Sequence, residues 1–405
     1  MHIISLTELQ FKNYSRIHSK RNYLQSIEFA NMQKNNGYSI LYVGMIDDEN
    51  NLVAASLILG KKIIGKYFLG HAPGGYLIDY NNYDLLSKFT KLLKEYLSKL
   101  NYVYISINPL YPIKISNKKK DIIYNNSNII NNLNTLGYKK SKRNTLNTIL
   151  YLQTNGNIQE TYNNLSRFVK RNIQENKLKS IKIYEGEKND IDTFYKFINK
   201  KTNFSKEYYN ELFTYFNNDN NKFEIYFAFL DTNEYLKNYN NLLNKEKRNN
   251  EKISEKILNI NIKNKRDYVD KKINSDKLLE KYNNEIKKAI NLNNLYKNGL
   301  IAATVAIIKT NNEITFLIDG YEEKIRNIRA SYTIKWEIIK KYSELGYTTF
   351  NLGYIPNSNN KKIDGIVLSR IGFNANIHET PGNYNLIINN SIYTLINFMD
   401  NSIPK

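Results

Sequence analysis

A chain of 405 residues is longer than one compact core normally supports, which points to two domains. Its 59 Lys and Arg against 38 Asp and Glu leave a formal charge of +21, which favours a polyanionic partner such as nucleic acid, an anionic lipid surface or a phosphorylated substrate. The absence of Cys excludes disulfides and thiolate metal sites, and the four His (His2, His18, His71, His378) contain no pair at metal-ligand spacing, so no metal is expected.

The N-terminus, MHIISLTELQFKNYSR, lacks the basic and apolar regions of a signal peptide. No segment approaches the roughly 20 apolar residues of a membrane span, so the expected location is cytoplasmic. Residues 38–46 (YSILYVGMI) and 52–60 (LVAASLILG) are apolar runs separated by DDENN, a hairpin pattern. The stretch HAPGGYLIDY, His71–Tyr80, follows. In a chain with only 6 Pro and 17 Gly, Pro73-Gly74-Gly75 reads as a rigid turn, leading through Tyr76-Leu77-Ile78 to the carboxylate of Asp79. Apolar residues at 85, 86, 89, 92, 93 and 97 predict a helix, and YVYISINP (102–109) a buried strand. These elements make one α/β domain over residues 1–155.

The pattern then begins again over residues 156–405. LSRFVKRNIQENKLKS reads as a helix, IKIYEG as a strand, and IDTFYKFINKKTNF and KEYYNELFTYFNN as helices. The strand EIYFAFL (224–230) is separated from GLIAATVAII (299–308) by a long interruption. ITFLIDGYEEKIRN, ASYTIKWEIIKKYSELG and TTFNLGY repeat the order strand, turn, helix, strand, so a duplicated fold is expected. Within the interruption, Tyr239, Leu243, Ile253, Ile257 and Ile260 take heptad-like positions, with polar residues at 246 and 250. A second stripe runs Val269, Ile273, Leu279, Tyr282, Ile286 and Ile290. The two stripes predict an antiparallel helical arm over residues 235–298. Its 16 Lys and Arg against 8 Asp and Glu suit nucleic acid or protein as well as solvent, and the arm leaves self-association open.

No phosphate-binding loop, dinucleotide fingerprint or nucleophile elbow occurs, and thiol or His-based catalysis lacks residues to support it. Strand pairs, a central helix and a further strand also describe acyl-CoA-dependent N-acyltransferases. The loops in the matching places, APGGYLIDYNNYD and EEKIRNIRASYTI, lack their glycine-rich pyrophosphate loop.

Five stretches in order resemble the FemABX family of peptidoglycan peptidyltransferases. YLQSIEFANMQKNNGY (23–38) is similar to the family's opening block, with Phe29 in place of a Trp. HAPGGYLIDY is similar to its Y-x-P-R-G-P-x-x-D-Y segment, and KRNIQENKLKSIKI (170–183) to the block opening the second domain. The stretch 317–355 is similar to the segment ending D-F-G-G, which reads Asn351-Leu352-Gly353-Tyr354 here, and GNYNLIINNSIYTLI (382–396) to the closing one. The resemblance implies an α/β (α+β) fold of two tandem acetyltransferase-like (GNAT-like) domains with a helical arm in the second, as in glycine-adding members. It implies an enzyme that moves an amino acid, glycine being favoured, from aminoacyl-tRNA to the side-chain amine of a stem peptide. The acceptor would be lipid II or UDP-MurNAc-pentapeptide, reached beside the anionic inner leaflet of the membrane, with no cofactor. Lys34, Tyr38, Pro73, Gly74, Gly75 and Tyr76 are then expected to bind the acceptor, and Lys170 and Arg171 the tRNA. Asp79 is expected to act as a base or to orient the attacking amine. Arg370, in LSRIGFN (368–374), is expected to bind phosphate or stabilise the oxyanion. Two rival readings stand beside this one: a binding protein of the same fold without turnover, and an acyl-CoA-dependent N-acyltransferase.

Overall fold

The apolar runs of the sequence become strands, and the stretches of helical period become helices. The computed structural model describes residues 1–63, 65–141, 148–259, 265–355 and 369–402. The chain opens with β1 (His2–Ser5), α1 (Glu8–Ile17), α2 (Ile27–Asn35), β2 (Ser39–Ile46), β3 (Leu52–Lys62) and β4 (Phe68–Ala72). It continues through α3 (Tyr83–Lys99), β5 (Tyr102–Ile107), β6 (Lys114–Ser116), β7 (Ile122–Asn125), α4 (Asn128–Thr135), β8 (Tyr138–Lys140) and β9 (Thr148–Gln153). The second half begins with α5 (Ile158–Asn164), α6 (Arg167–Leu178), β10 (Ile181–Gly186), α7 (Ile191–Ile198), α8 (Lys206–Tyr215) and β11 (Lys222–Leu230). Two long helices follow, α9 (Thr232–Asn259) and α10 (Lys265–Leu295). Last come β12 (Leu300–Lys309), β13 (Glu313–Tyr321), α11 (Ala330–Glu344), β14 (Thr349–Ile355), β15 (Asn376–Glu379), β16 (Tyr384–Ile387) and α12 (Asn390–Ser402).

The strands form two sheets, ordered β1-β2-β3-β4-β5-β16-β8 and β10-β11-β12-β13-β14-β9-β15-β6-β7. Each contains an antiparallel run followed by one parallel pair, β4 with β5 and β13 with β14. A helix makes each parallel crossover, α3 in the first sheet and α11 in the second, as parallel pairing requires. This is the duplicated α/β unit expected from the sequence.

The division at residue 155 needs correction, because strands cross it in both directions. β9, β6 and β7 come from the first half and lie in the second sheet, while β16, near the C-terminus, pairs with β5 and β8 in the first. Sheet neighbours are set by register and side-chain fit rather than by adjacency in the chain, so a composition boundary could not reveal the exchange.

Beneath the first sheet, α3 buries Leu86, Phe89, Leu93 and Leu97, one apolar face at helical spacing. Beneath the second, α11 buries Ile334, Ile338, Ile339 and Tyr342. A third core joins the halves, with Phe29, Leu57 and Leu77 meeting Phe194, Phe216, Ile225 and Phe227. Burying each such side chain stabilises the fold by roughly 1.5–3 kcal/mol. The buried Glu28 carboxylate adds a polar clamp, accepting from Asn218 Nδ2 at 2.9 Å and Asn221 Nδ2 at 2.8 Å.

α9 and α10 pack antiparallel, as the contacts Thr232 to Asn293, Tyr235 to Glu285 and Asn250 to Ser275 require. On α9 the expected stripe holds: Tyr239 and Leu243 are buried, and Glu246 and Asn250 occupy the polar seam positions. Ile260 lies outside the described residues. On α10 the expected register is offset, since Val269, Ile273 and Ile290 are exposed. The seam is instead Tyr268, Lys272, Ser275, Leu279, Tyr282, Ile286 and Ala289. Ser275 and Lys272 face the seam because Asn250 and Glu246 provide hydrogen-bond partners there, so polar pairing overrides the apolar pattern.

Across the exchanged strands, His378 in β15 sits 4.6 Å from the Tyr151 ring of β9. Burial pushes its pKa down from the usual 6.5 to about 4. The unfolded ring therefore takes up a proton at higher pH than the folded one. Stability is complete above pH 6.5 and is lost as pH falls toward 4. Between these limits His378 should contribute a loss of about 2–3 kcal/mol. His378→Phe keeps a ring beside Tyr151 and should flatten that part of the profile, read from urea midpoints across the acid range.

Candidate active site

The two parallel strand pairs end differently. In the first sheet, pairing runs to Ala72 opposite Ile107, and the Pro73-Gly74-Gly75 turn follows. Gln25 Nε2 donates to the Pro73 carbonyl at 2.8 Å, and the Gly74 N–H donates to Asn108 Oδ1 at 2.9 Å. Gly75 has φ +83°, and a Cβ there would lie 2.7 Å from Pro109 Cα. The glycine thus allows two backbone segments to close against each other. The Tyr76 N–H donates to the Tyr80 hydroxyl at 2.8 Å, and the Tyr76 ring, 1% exposed, packs on Phe89. The structure therefore fills this turn with the protein's own groups, and the Tyr76 side chain belongs to the core.

Around the turn the other expected acceptor residues lie nearer the surface. Asp79 is exposed, and its Oδ1 accepts from the Asn81 N–H at 2.9 Å, capping the turn before α3. Lys34 is exposed in the last turn of α2; its neighbours Asn35 and Asn36 bind Glu211 of the other half at 3.1 and 2.9 Å. That places Lys34 at the rim where the halves meet. Tyr38 is half-buried against the joining core.

In the second sheet the parallel pair opens. β13 and β14 pair only from Glu313 opposite Thr349 to Thr315 opposite Asn351. Beyond that point each keeps its outer neighbour, β12 or β9, but not the other. The Gly353 N–H is taken by Asn351 Oδ1 at 2.9 Å instead of by β13. Arg370 occupies this opening. Its Nη1 donates to the Tyr354 carbonyl at 2.6 Å, and a Cβ at Gly353 would lie 3.2 Å from Nη2. Gly353, at φ +95°, therefore makes room for the guanidinium. Arg370 Nε is buried with no hydrogen-bond partner among the described residues.

Two further charges, which the sequence reading missed, belong to this opening. Lys335 of α11 makes an ion pair with Asp319 of β13 at 3.2 Å, their side chains 9% and 27% exposed. Burial tends to raise the Asp319 pKa, but Lys335, Arg370 and Lys201 outweigh it and hold the carboxyl below its ordinary range. Burial lowers the pKa of Lys335, an effect that Asp319 opposes and Arg370 reinforces. Burial lowers that of Arg370 as well, which remains a cation because its ordinary value is so high. Two cations, Arg370 and Lys335, thus lie about one carboxylate at a gap between strands. Such an excess of desolvated positive charge suits a phosphate, a carboxylate or a developing oxyanion. Sequence signals did exist: a lone carboxylate in the apolar strand ITFLIDG, and a Lys between Ile334 and Trp336 on a buried helix face.

Lys170 and Arg171 lie on α6, with Lys170 Nζ donating to the Asn163 carbonyl at 3.0 Å and Arg171 exposed. Among the described residues no helix is long and apolar enough to cross a membrane.

A model of the FemAB family matches residues 6–401. The chain is 24% identical over 420 residues to the aminoacyltransferase FemA of Staphylococcus epidermidis, covering 98% of both chains. It is 23% identical over 419 residues to the aminoacyltransferase FemB of the same species, covering 99% of this chain and 98% of the relative. The solved structure of FemX covers 98% of this chain and 100% of its own, with a TM-score of 0.73 at 16% identity, so the fold is shared.

Gly75→Ala should destabilise the protein, by about 1–3 kcal/mol from the positive φ alone and further from contact with Pro109. A drop in the urea midpoint checks this; an unchanged midpoint would mean that the turn is not closely packed.

Proposed function

The chain belongs to the FemAB family, and from that premise we propose that it transfers an amino acid from aminoacyl-tRNA to the side-chain amine of a peptidoglycan-precursor stem peptide. The observation that carries this reading is the Arg370 guanidinium in the open strand pair, backed by Lys335 and Asp319. Glycine is the amino acid we favour, because the arm of α9 and α10 resembles that of glycine-adding members. The acceptor is lipid II or UDP-MurNAc-pentapeptide, and the +21 charge suits tRNA, precursor pyrophosphate and an anionic leaflet alike.

The chemistry needs no cofactor. An aminoacyl ester is already activated: the acceptor nitrogen attacks its carbonyl, the bond to the ribose oxygen breaks, and an amide forms. The proton lost by the amine leaves with the ribose hydroxyl or solvent. Catalysis then consists of positioning and oxyanion stabilisation. We assign the oxyanion or a phosphate to Arg370 and Lys335, and the precursor pyrophosphate to Lys34 at the rim. Asp79 already caps a turn, so we give it no proton-transfer role.

Purified protein supplied with lipid II and a mixture of charged tRNAs should give a product heavier by one or more amino acids, read by mass spectrometry. Acetyl-CoA, run in parallel as donor, should give none. Arg370→Ala should reduce transfer by about 10²–10³-fold, with Arg370→Lys less affected. Asp79→Asn, which keeps an acceptor for the Asn81 N–H, should change the rate by less than about threefold, against the 10²–10⁴-fold expected for loss of a general base. Tight precursor binding without turnover from any donor would instead favour the non-catalytic reading, which the replacement of the family's D-F-G-G carboxylate by Asn351 supports.

A further inference from the structure

The far edge of the second sheet carries apolar side chains that the fold leaves uncovered. β6 and β7 form a hairpin there, with β7 as the last strand. Ile122 and Ile123 of β7 are 57% and 58% exposed, although neighbours in a strand ordinarily point to opposite faces. The register shifts at this point, so that β7 carries one residue more than β6. A bulge of this kind re-aims side chains.

Next to the isoleucines, the tip holds Lys118, Lys119 and Lys120, all exposed. Asn117 makes the tip rigid. Its Oδ1 accepts from the N–H groups of Lys119 at 2.8 Å and Asp121 at 3.0 Å, and its Nδ2 donates to Asp121 Oδ2 at 3.0 Å. Lys120 closes the turn with a left-handed backbone, φ 71°, and its N–H donates to the Asn117 carbonyl at 2.9 Å. The one carboxylate of the tip is thus held by Asn117, and Glu379 at the hairpin's base is paired with Lys114 at 3.0 Å. The hairpin is also tied to the first half. Asn126, just past β7, donates to Asn81 Oδ1, Asn81 Nδ2 donates to the Tyr111 hydroxyl, and Tyr124 bonds the same hydroxyl. Asn81 belongs to the turn that Asp79 caps.

We infer that this hairpin docks the protein on an anionic lipid bilayer, with Ile122 and Ile123 entering the headgroup boundary and Lys118, Lys119 and Lys120 meeting lipid phosphates. Its service to a lipid-linked acceptor rests on the transfer reading above, because the hairpin adjoins the turn expected to hold the acceptor. Apolar insertion and lysine attraction add, and stable anchoring takes two such signals. Guarding a sheet edge would account for lysines on the strand itself. It does not account for isoleucines on the strand and lysines at its tip. A second copy is a poorer occupant, since four residues with a bulge make a short, twisted template for strand pairing. RNA would use the lysines and leave the isoleucines uncovered.

The test floats the full chain with vesicles of phosphatidylglycerol in phosphatidylcholine, and with phosphatidylcholine alone. The parent should float with the anionic vesicles, and less so at high salt. Ile122→Thr with Ile123→Thr keeps β-branched residues in the strand and should weaken binding about tenfold. Lys118→Gln, Lys119→Gln and Lys120→Asn together should weaken it about a hundredfold, and Asn tolerates the left-handed backbone. Both variants alter exposed positions, so their urea midpoints should stay near the parent's. Because the chain has no Cys, Ile122→Cys carries a single NBD label, whose emission should shift to the blue on anionic vesicles. Unchanged flotation of both variants, a label that stays in water, a dimer in sedimentation that is lost with the isoleucines, or a loss confined to RNA binding would overturn the inference. Transfer to lipid II in vesicles should slow in both variants, while transfer to a water-soluble precursor should not; equal slowing with both acceptors would count against membrane docking. If the variants lose flotation while the parent transfers to no acceptor, the surface stands and the transfer reading fails. If the parent transfers and both variants float as it does, the surface fails and the transfer reading stands.

Discussion

Strand exchange is the constraint on which the rest of the molecule depends. β16 closes onto β5 in the first sheet, while β9, β6 and β7 extend the second. Neither sheet is complete without residues from the other half. The short segment holding Arg370 lies between β14 of the second sheet and β16 of the first, with β15 between them. β15, which follows it directly, is held between β9 and β6, two strands supplied by the first half. The joining core around Phe29, Phe216 and Phe227 and the Glu28 clamp add to this. Under the proposed transfer, a cation that meets both substrates would need such a frame, since displacement by about 1 Å can cost a large factor in rate.

The two openings show how one unit serves different ends. In the first sheet, Gly75 lets the turn close on Pro109, and Gln25, Asn108 and Tyr80 take its polar groups. In the second, Gly353 admits a guanidinium, and Asp319 and Lys335 add an ion pair to the same gap. Buried ion pairs contribute little net stability, because desolvation offsets attraction. A cluster in which cations outnumber the carboxylate is poorer still as a structural device. Its persistence makes sense as preorganised positive charge that needs no rearrangement when a negative charge develops.

Much of this architecture was legible in the sequence, and the failures have physical causes. The hairpin at 38–60, the helix at 83–99 and the repeat of strand, helix and strand near the C-terminus all follow from period and turn chemistry. The exchanged strands did not, because β6 and β16 are short and β6, β9 and β16 take their neighbours from distant sequence. The register of α10 was misread because polar seam residues have no apolar signature. Arg370 was found through a resemblance, whereas the pairing of Asp319 with Lys335 required the fold, since they lie 16 positions apart, one on β13 and the other on the crossover helix α11. Pro73-Gly74-Gly75 stood out clearly, but scarcity alone could not tell a turn packed on protein from one shaped around a ligand.

The placement of charge also bears on how a tRNA and a precursor would share one protein under the proposed function. If the whole +21 surface acted uniformly, tRNA and precursor would compete for the same field. Instead, the features that discriminate are local. Lys34 sits at the rim between the halves, on α2, while Arg370 occupies the open strand pair of the second sheet. On the proposed reading, diffuse charge would bring both substrates to the protein at a rate that falls with salt, and local groups such as the Arg370 guanidinium would decide where each one stops. Short-range contacts of this kind are screened far less than surface charge, so binding geometry should persist at ionic strengths that already slow encounter.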